Sequence, residues 1–396
     1  MEYIKVFEGR AVLLVPNPDL FRRPDGVYEP SWAPVFYNPR ASLNRDLSVV
    51  TLATIGEYFS VNSFNIADIL AGVGVRGIRY CLEVPNVSTA VLNDINSNAV
   101  TVIKENLALN KLSDRAVVYR SDANALLYKL REDRYKLNFI DIDPYGSPTP
   151  FIKSALTNIM RGGFIGVTAT DIATLSGIKY LAGSRKYDVK LSRTDFKFEV
   201  GLRVLLGYIA RRAAESDRYV EPIVSVFHDH YYRLFFRVDR GVSKSHRMIV
   251  EELGYILYCR KCLFRRYIND LNILLDLRCP KCGHGFEVIG PLWIGSMNNK
   301  EFISRLEAIV KARYEYLSNF NRLLKLITVI RNEVETPYYY DITSIASMLK
   351  VNMPKVEEVI KCLQGRGFKG SRTHLTPTGI KTDADYDTVM ECIKSS

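Results

Sequence analysis

The chain has 396 residues, 47% hydrophobic and 24% charged, an ordinary globular composition long enough for two or three domains with sizeable cores. No run approaches the apolar length of a membrane span, and the opening MEYIKVFEGRAVLLVP carries Glu and Arg where a signal peptide needs an apolar core, so a soluble, cytoplasmic protein without a membrane partner is expected. The formal charge of +11 points to an anionic partner, nucleic acid before others; no obligatory protein partner is evident.

Residues 1–43 are rich in proline and aromatics and read as extended, loop-rich structure. A helix is expected from Asn44 through RDLSVVTLATIGEYF. Strands are expected at 65–70, 89–93, 116–119, 137–142, 163–169, 222–227 and 232–238, with helices at 96–110, 122–131, 148–160 and 199–214. Such alternation implies a parallel sheet with helices on both faces. The last two strands flank only HDHY, too short for a parallel crossover, so they form an antiparallel hairpin. Five parallel βα units closed by a hairpin resemble the class I methyltransferase fold, an α/β, Rossmann-like seven-stranded sheet that binds S-adenosylmethionine (SAM). Beyond it, residues 239–300 carry four paired cysteines and residues 301–335 read as one long amphipathic helix. Residues 336–396 hold two or three short helices and a hairpin, a winged-helix-like pattern. The expected division is a catalytic domain at 1–240 and a C-terminal α+β domain at 241–396, with a zinc ribbon at 259–282 and the winged-helix-like part at 336–396.

Ligands of a doubly wound sheet bind beyond the carboxyl ends of the strands. After the first strand, Gly72, Gly74 and Gly77 permit a tight turn and close approach of a ligand to the backbone, or simply an ordinary strand-to-helix turn. After the second, Asp94 is placed to accept hydrogen bonds from ribose hydroxyls, or to cap the helix at 96–110. After the third, Asp122 stands at another helix start; in SAM enzymes an acid here receives the adenine amino group and the next backbone N–H, here Ala123, faces the ring. After the fourth comes Asp143-Pro144-Tyr145, a shortened form of the Asp-Pro-Pro-aromatic motif of enzymes that methylate exocyclic amines. Such an amine is a poor nucleophile because its lone pair is delocalised into the ring. A carboxylate and a backbone carbonyl that accept its N–H bonds localise that pair, proline fixes the carbonyl, and the aromatic ring stacks on the base. Asp143 is also the candidate general base. The bland alternative is a turn-forming Asp-Pro beside a surface tyrosine. Asp141, two residues earlier on the same strand face, is a secondary pocket residue or a structural partner.

FYNPRASLNRDLSV, GVRGIRY, LNDIN, DANAL, DIDPYGSP, GVTATD, DHYYR, GPLW and RTHLTPTGIKT together resemble the tRNA guanine-26 N2-dimethyltransferase family in its archaeal form. The resemblance runs from about residue 8 to residue 395. It implies a SAM-binding catalytic domain, a family-specific C-terminal domain, and two successive methyl transfers to the exocyclic amine of guanine 26 in tRNA. It also implies cofactor contacts by Arg45, Arg76, Asp94, Asp122 and Ala123, with Asp143 catalytic and Tyr145 against the base. For Arg45 and Arg76 the alternative is a helix-surface salt bridge. The same chemistry on another guanine, adenine or cytosine, or a non-catalytic nucleic-acid-binding module, are the competing functions.

Cys259 and Cys262, then Cys279 and Cys282, form two Cys-x-x-Cys knuckles separated by 16 residues. Four thiolates at such spacing suit a structural zinc ion and leave no open position for chemistry. Two disulfides or an iron–sulfur cluster are the alternatives. His284 is a competing ligand, while Cys81, Cys362 and Cys392 read as packing residues. CLFRRY, beside the first knuckle, and GRGFKGSRTH (365–374) mix cations with aromatics and are read as RNA-contacting.

Overall fold

The computed structural model describes residues 2–270 and 277–395. The chain opens on a hairpin, β1 (Tyr3–Glu8) and β2 (Ala11–Pro16), where loop was expected. Gly9, at φ 55°, starts its two-residue turn, and Ala11, Leu13 and Val15 alternate inward along β2. Helix α1 (Ser42–Tyr58) comes next, and every residue from Leu43 to Ile55 is buried. A helix buried all round belongs in a core.

The alternation then runs as expected: β3 (Phe64–Asp68), α2 (Val75–Glu83), β4 (Val87–Asn93), α3 (Ser97–Leu109), β5 (Ala116–Tyr119), α4 (Ala123–Glu132), β6 (Phe139–Ile142), α5 (Thr149–Asn158) and β7 (Gly163–Ala169). Helices α6 (Ile172–Leu175), α7 (Tyr180–Tyr187) and α8 (Lys197–Ala214) lead to β8 (Arg218–His228) and β9 (Tyr231–Arg240). The seven-stranded sheet has the order β5-β4-β3-β6-β7-β9-β8. Its first five strands pair in parallel. A two-residue turn joins β8 to β9, so these two run antiparallel. Strands β6 and β7 are buried throughout, which is why they read as nearly unbroken apolar runs.

After α9 (Val242–Arg247), the strands β10 (Leu253–Tyr258), β11 (Arg265–Ile268) and β12 (Glu287–Trp293) form an antiparallel sheet in the order β11-β10-β12. The single helix expected over 301–335 is two helices, α10 (Lys300–Arg313) and α11 (Phe320–Asn332). The interruption has a cause. Tyr314 and Tyr316 donate to the backbone carbonyl and the carboxylate of Glu83, each at 2.9 Å, and the Asn319 side chain donates to Asp46 at 2.8 Å. These long-range bonds to buried acceptors override the local helical periodicity.

The last segment contains β13 (Tyr340–Asp341), α12 (Ile342–Leu349), α13 (Val356–Gly365), β14 (Gly370–Arg372), β15 (Gly379–Thr382) and α14 (Tyr386–Ser395), with sheet order β13-β15-β14. Cys362 and Cys392 are not packing thiols: they form a disulfide that ties α13 to α14. Helix positions 30 residues apart give no sequence signal for such a pair. Cys81 is a buried free thiol, as expected, and burial pushes its pKa up to about 11.

The chain also groups into two compact units, each drawn from more than one stretch of sequence. One comprises residues 1–168, 235–239 and 300–327, the other residues 169–234, 240–299 and 328–396.

Candidate active site

A cavity of ≈ 480 Å³ opens in the first unit at the carboxyl edge of the parallel strands. Its walls are the β3–α2 turn with Gly72 and Arg76, Asp94 beyond β4, the stretch from Asp143 to Ser147 beyond β6, and Phe36 to Asn38 from the N-terminal segment. Arg45 of α1 completes it. The expected residues Arg45, Gly72, Arg76, Asp94, Asp143, Pro144 and Tyr145 are therefore brought together. Gly74, Asp122 and Ala123 do not line this cavity.

The glycines and acids have local reasons that the sequence left open. Gly72 sits at φ 56°, and a Cβ there would stand 2.7 Å from the Phe36 carbonyl oxygen. Gly74, at φ 80°, faces Leu92 and Ile103, so its absent side chain serves helix-on-sheet packing. Asp94 accepts from the backbone N–H groups of Gly72 and Asn96, each at 2.9 Å. The cap of α3 is Asn96, which frees Asp94 from that role. Asp122 does cap α4, accepting from Asn124 and Ala125, and Ala123 is buried in the first turn.

Around Arg76 three buried or half-buried acids gather. Its buried guanidinium pairs with Asp143, lies 3.8 Å from Asp141, and donates to Ser48 at 2.7 Å and Asn44 at 3.3 Å. Tyr80 donates its hydroxyl proton to Asp141. Asp68, the register partner of Asp141 on the adjacent strand, accepts from the Gly77 backbone N–H at 3.1 Å. Burial and then the neighbouring Asp141 push the Asp68 carboxyl up to about 7, against the pull of Arg76. Burial lowers the pKa of Arg76, but Asp143 and Asp141 outweigh it and hold the group charged. Arg76 thus lies among three acids, and Asp68 is raised toward neutrality because burial and the carboxylate of Asp141 both disfavour its charge. Sequence reasoning missed Asp68; its place at the end of a strand, directly before the glycine turn, is the signal that could have found it.

Arg45 is differently placed. Its Nε and one terminal nitrogen each donate to Glu8 at 2.5 Å, and it reaches the Asn38 carbonyl at 3.1 Å. Burial opposes ionisation of Glu8, yet Arg45 and Arg79 bring its pKa down to about 2. Neither Arg45 nor Arg76 is a helix-surface salt bridge, because both side chains are buried.

At the mouth, the Asp143 side chain is partly exposed and Tyr145 is 74% exposed. The Tyr145 ring stands 5.9 Å from Phe36, tilted by 58°. Two aromatic faces beside a carboxylate suit a planar polar group. The cavity beneath suits a small ligand of mixed charge: Asp68, Asp94 and Asp143 on its wall complement cationic groups and Arg76 complements an anionic one. SAM, with sulfonium, ammonium and carboxylate groups, fits that donor set.

In the second unit the sulfurs of Cys259, Cys262, Cys279 and Cys282 lie within 4.8 Å of one another. The two knuckles repeat one geometry. Leu263 N–H donates to the Cys259 carbonyl and Gly283 N–H to that of Cys279; Cys259 and Cys279 N–H donate to Phe264 and His284. Leu263 and Gly283 both adopt positive φ, so leucine supplies in the first knuckle what glycine supplies in the second. All four cysteines are free, which removes the disulfide alternative. Tetrahedral ligands about 2.3 Å from a zinc ion stand roughly 3.8 Å apart, so the cluster fits one ion. The His284 ring is exposed and outside the group.

The two stretches read as RNA-contacting are largely self-neutralised. Arg265 is buried, paired with Asp195 at 2.7 Å and packed against Phe196 and Tyr340. Arg366 pairs with Glu391, and Arg372 with Glu357. His374 is buried against Glu333. Alternating cations and aromatics look alike in sequence whether they face solvent or a carboxylate.

A family model described as N2,N2-dimethylguanosine tRNA methyltransferase matches residues 18–394. The tRNA (guanine(26)-N(2))-dimethyltransferase of Saccharolobus solfataricus is 40% identical over 397 residues, covering 100% of both chains. That of Metallosphaera sedula is 36% identical, covering 100% of this chain and 98% of its own. A solved structure of Trm1 from Pyrococcus horikoshii in complex with S-adenosyl-L-methionine superposes with a TM-score of 0.84 at 35% identity, covering 98% of this chain and 99% of that one.

Proposed function

Because the chain belongs to the N2,N2-dimethylguanosine tRNA methyltransferase family, we propose that its cavity binds SAM and its mouth receives guanine 26 of tRNA, giving N2-methyl- and then N2,N2-dimethylguanosine. SAM, when bound, supplies an electrophilic methyl group. The observation that carries the reading is Asp143, held by Arg76 at the cavity mouth beside an exposed Tyr145.

The residues divide the work. Asp94 retains lone pairs beyond those given to Gly72 and Asn96, and these accept ribose hydroxyls. Asp122 and Ala123 stand at the next strand end, where an adenine amine is received. Arg76 meets the carboxylate end of the cofactor and orients Asp143; Arg45, fixed by Glu8, braces the Asn38 segment of the wall. Tyr145 stacks on a base turned out of the tRNA. Asp143 and the Pro144 carbonyl accept the amine hydrogens, which restores nucleophilicity to the nitrogen, and Asp143 takes the released proton. Holding two reactants in line supplies much of the rate. The catalytic part spans residues 1–240. The four thiolates hold zinc in a ribbon within the C-terminal part, 241–396, whose last segment is winged-helix-like, and the protein works in the cytoplasm.

The deciding assay transfers labelled methyl from SAM to two tRNA transcripts, one with guanine and one with adenine at position 26. Label on the first alone, recovered as dimethylguanosine, is expected. Equal label on both, or none, overturns the assigned target. For the metal, inductively coupled plasma analysis is expected to find about one zinc per chain. A strong chelator should then lower the melting temperature; an unchanged melting curve after full metal removal refutes a structural ion.

A further inference from the structure

We propose that residues 178–193, the segment around α7, form a docking surface for the phosphates and an unstacked base or ribose of the RNA substrate. This rests on the tRNA reading above and adds the surface that holds the RNA. The segment IKYLAGSRKYDVKLSR carries five cations and one acid. Lys179, Arg185, Lys190 and Arg193 are exposed, and none has an ion-pair partner among the described residues. The neighbouring acids are already engaged. Asp171 accepts from Tyr187 at 2.8 Å and lies 3.9 Å from Lys186, Asp188 pairs with Arg212 at 3.2 Å, and Asp195 pairs with Arg265 at 2.7 Å.

In the two other basic stretches Arg265, Arg366 and Arg372 are paired, which leaves only Arg266 and Lys369 exposed without an ion pair among the described residues. Arg366 and Arg372 would have to leave carboxylates to meet a phosphate, which offsets most of the gain. The four free cations lose only water and counter-ions, and counter-ion release is what drives protein association with nucleic acid.

The second feature is apolar. Gly183 and Tyr187 form the buried face of α7, and a Cβ on Gly183 would stand 2.3 Å from the Leu191 side chain. Its outward face therefore holds Tyr180 and Leu181, 52% and 66% exposed, with Ile178 just before it at 42%. Cations around an exposed tyrosine match a backbone with unstacked bases. A protein partner fits less well, since interface cores are depleted in lysine.

The test uses the full chain and a tRNA transcript with guanine 26, with affinity measured by filter binding across a salt series. Wild type is compared with a variant combining Lys179→Gln, Arg185→Gln, Lys190→Gln and Arg193→Gln, and with a control combining Arg366→Gln and Arg372→Gln. The quadruple variant should bind roughly 10- to 100-fold more weakly at low salt, with the log–log salt slope shallower by about 3. SAM binding by calorimetry should be unchanged, which reports an intact fold. The control should stay within about twofold. Tyr180→Ala should weaken binding roughly tenfold with no change of slope. If wild type binds the transcript and the quadruple variant matches it in affinity and slope, the docking surface is overturned while the tRNA reading stands. If wild type does not bind the transcript, both fall.

Discussion

Two clusters of buried charge sit one in each unit, and the one in the first unit lines a cavity. In the second unit Glu199 and Glu333 face Arg203 and Lys381. Arg203 donates to Glu199 at 2.8 Å and to the carbonyls of Trp293, Gly295 and Thr336, while Lys381 reaches Glu199 at 2.8 Å. His374 completes it: the Phe227 N–H lies 3.3 Å from its Nε2, and its Nδ1 lies 2.6 Å from Glu333. Two acids meet two cations there, with the imidazole against one of the acids. In the first unit Asp68, Asp141 and Asp143 share Arg76, and a cavity opens beside them. Charges paired with one another in a core fix structure. Acids and a guanidinium that line a cavity are also placed to meet a ligand.

The comparison can be broken at several points. The largest effect belongs to Asp143→Ala, expected to cut turnover by roughly 10²–10⁴ while SAM binding stays nearly intact. Unchanged single-turnover rates would remove Asp143 from the chemistry. Next comes Arg203→Met, which leaves Glu199 short of its partner and should cost about 3–5 kcal/mol of stability in denaturant unfolding. The same substitution should leave the rate of the surviving folded enzyme within about threefold of wild type. A large kcat loss with no stability loss would place catalytic work in the cluster assigned here to scaffolding.

The smallest effect sharpens the contrast through pH. Asp68 keeps its proton in the folded chain up to about pH 7, whereas in the unfolded chain it ionises near 4. Between those values the unfolded state binds fewer protons, so this group's contribution makes stability fall as pH rises, levelling off above about 7. The loss is of order a few kcal/mol across the window. Asp68→Asn should remove it: unfolding midpoints of the variant and wild type should diverge most above pH 7. Parallel pH curves for the two would mean that Asp68 is ionised throughout.

Much of the fold and site is legible in the residues alone. The seven strands of the main sheet could be read from apolar runs and turn residues, because both depend on neighbours in sequence. Asp94 and Asp143 could be found from the turn beyond each strand, since topology puts strand ends together. The two Cys-x-x-Cys knuckles declared themselves by spacing alone. The N-terminal hairpin was lost among the prolines downstream of it, and the break between α10 and α11 has no local mark, because Glu83 and Asp46 lie far away in sequence.

What the sequence by itself determined, then, is the order of elements, the acids at their ends and the chemistry those acids suit, all of which come from periodicity and residue type. Only the tertiary structure decided which charges are spent on one another. Arg45 belongs to Glu8, Arg265 to Asp195, Arg372 to Glu357, and Lys190 and Arg193 to none among the described residues. A cation's availability depends on the distance to its nearest carboxylate, and folding sets that distance between residues the chain keeps far apart.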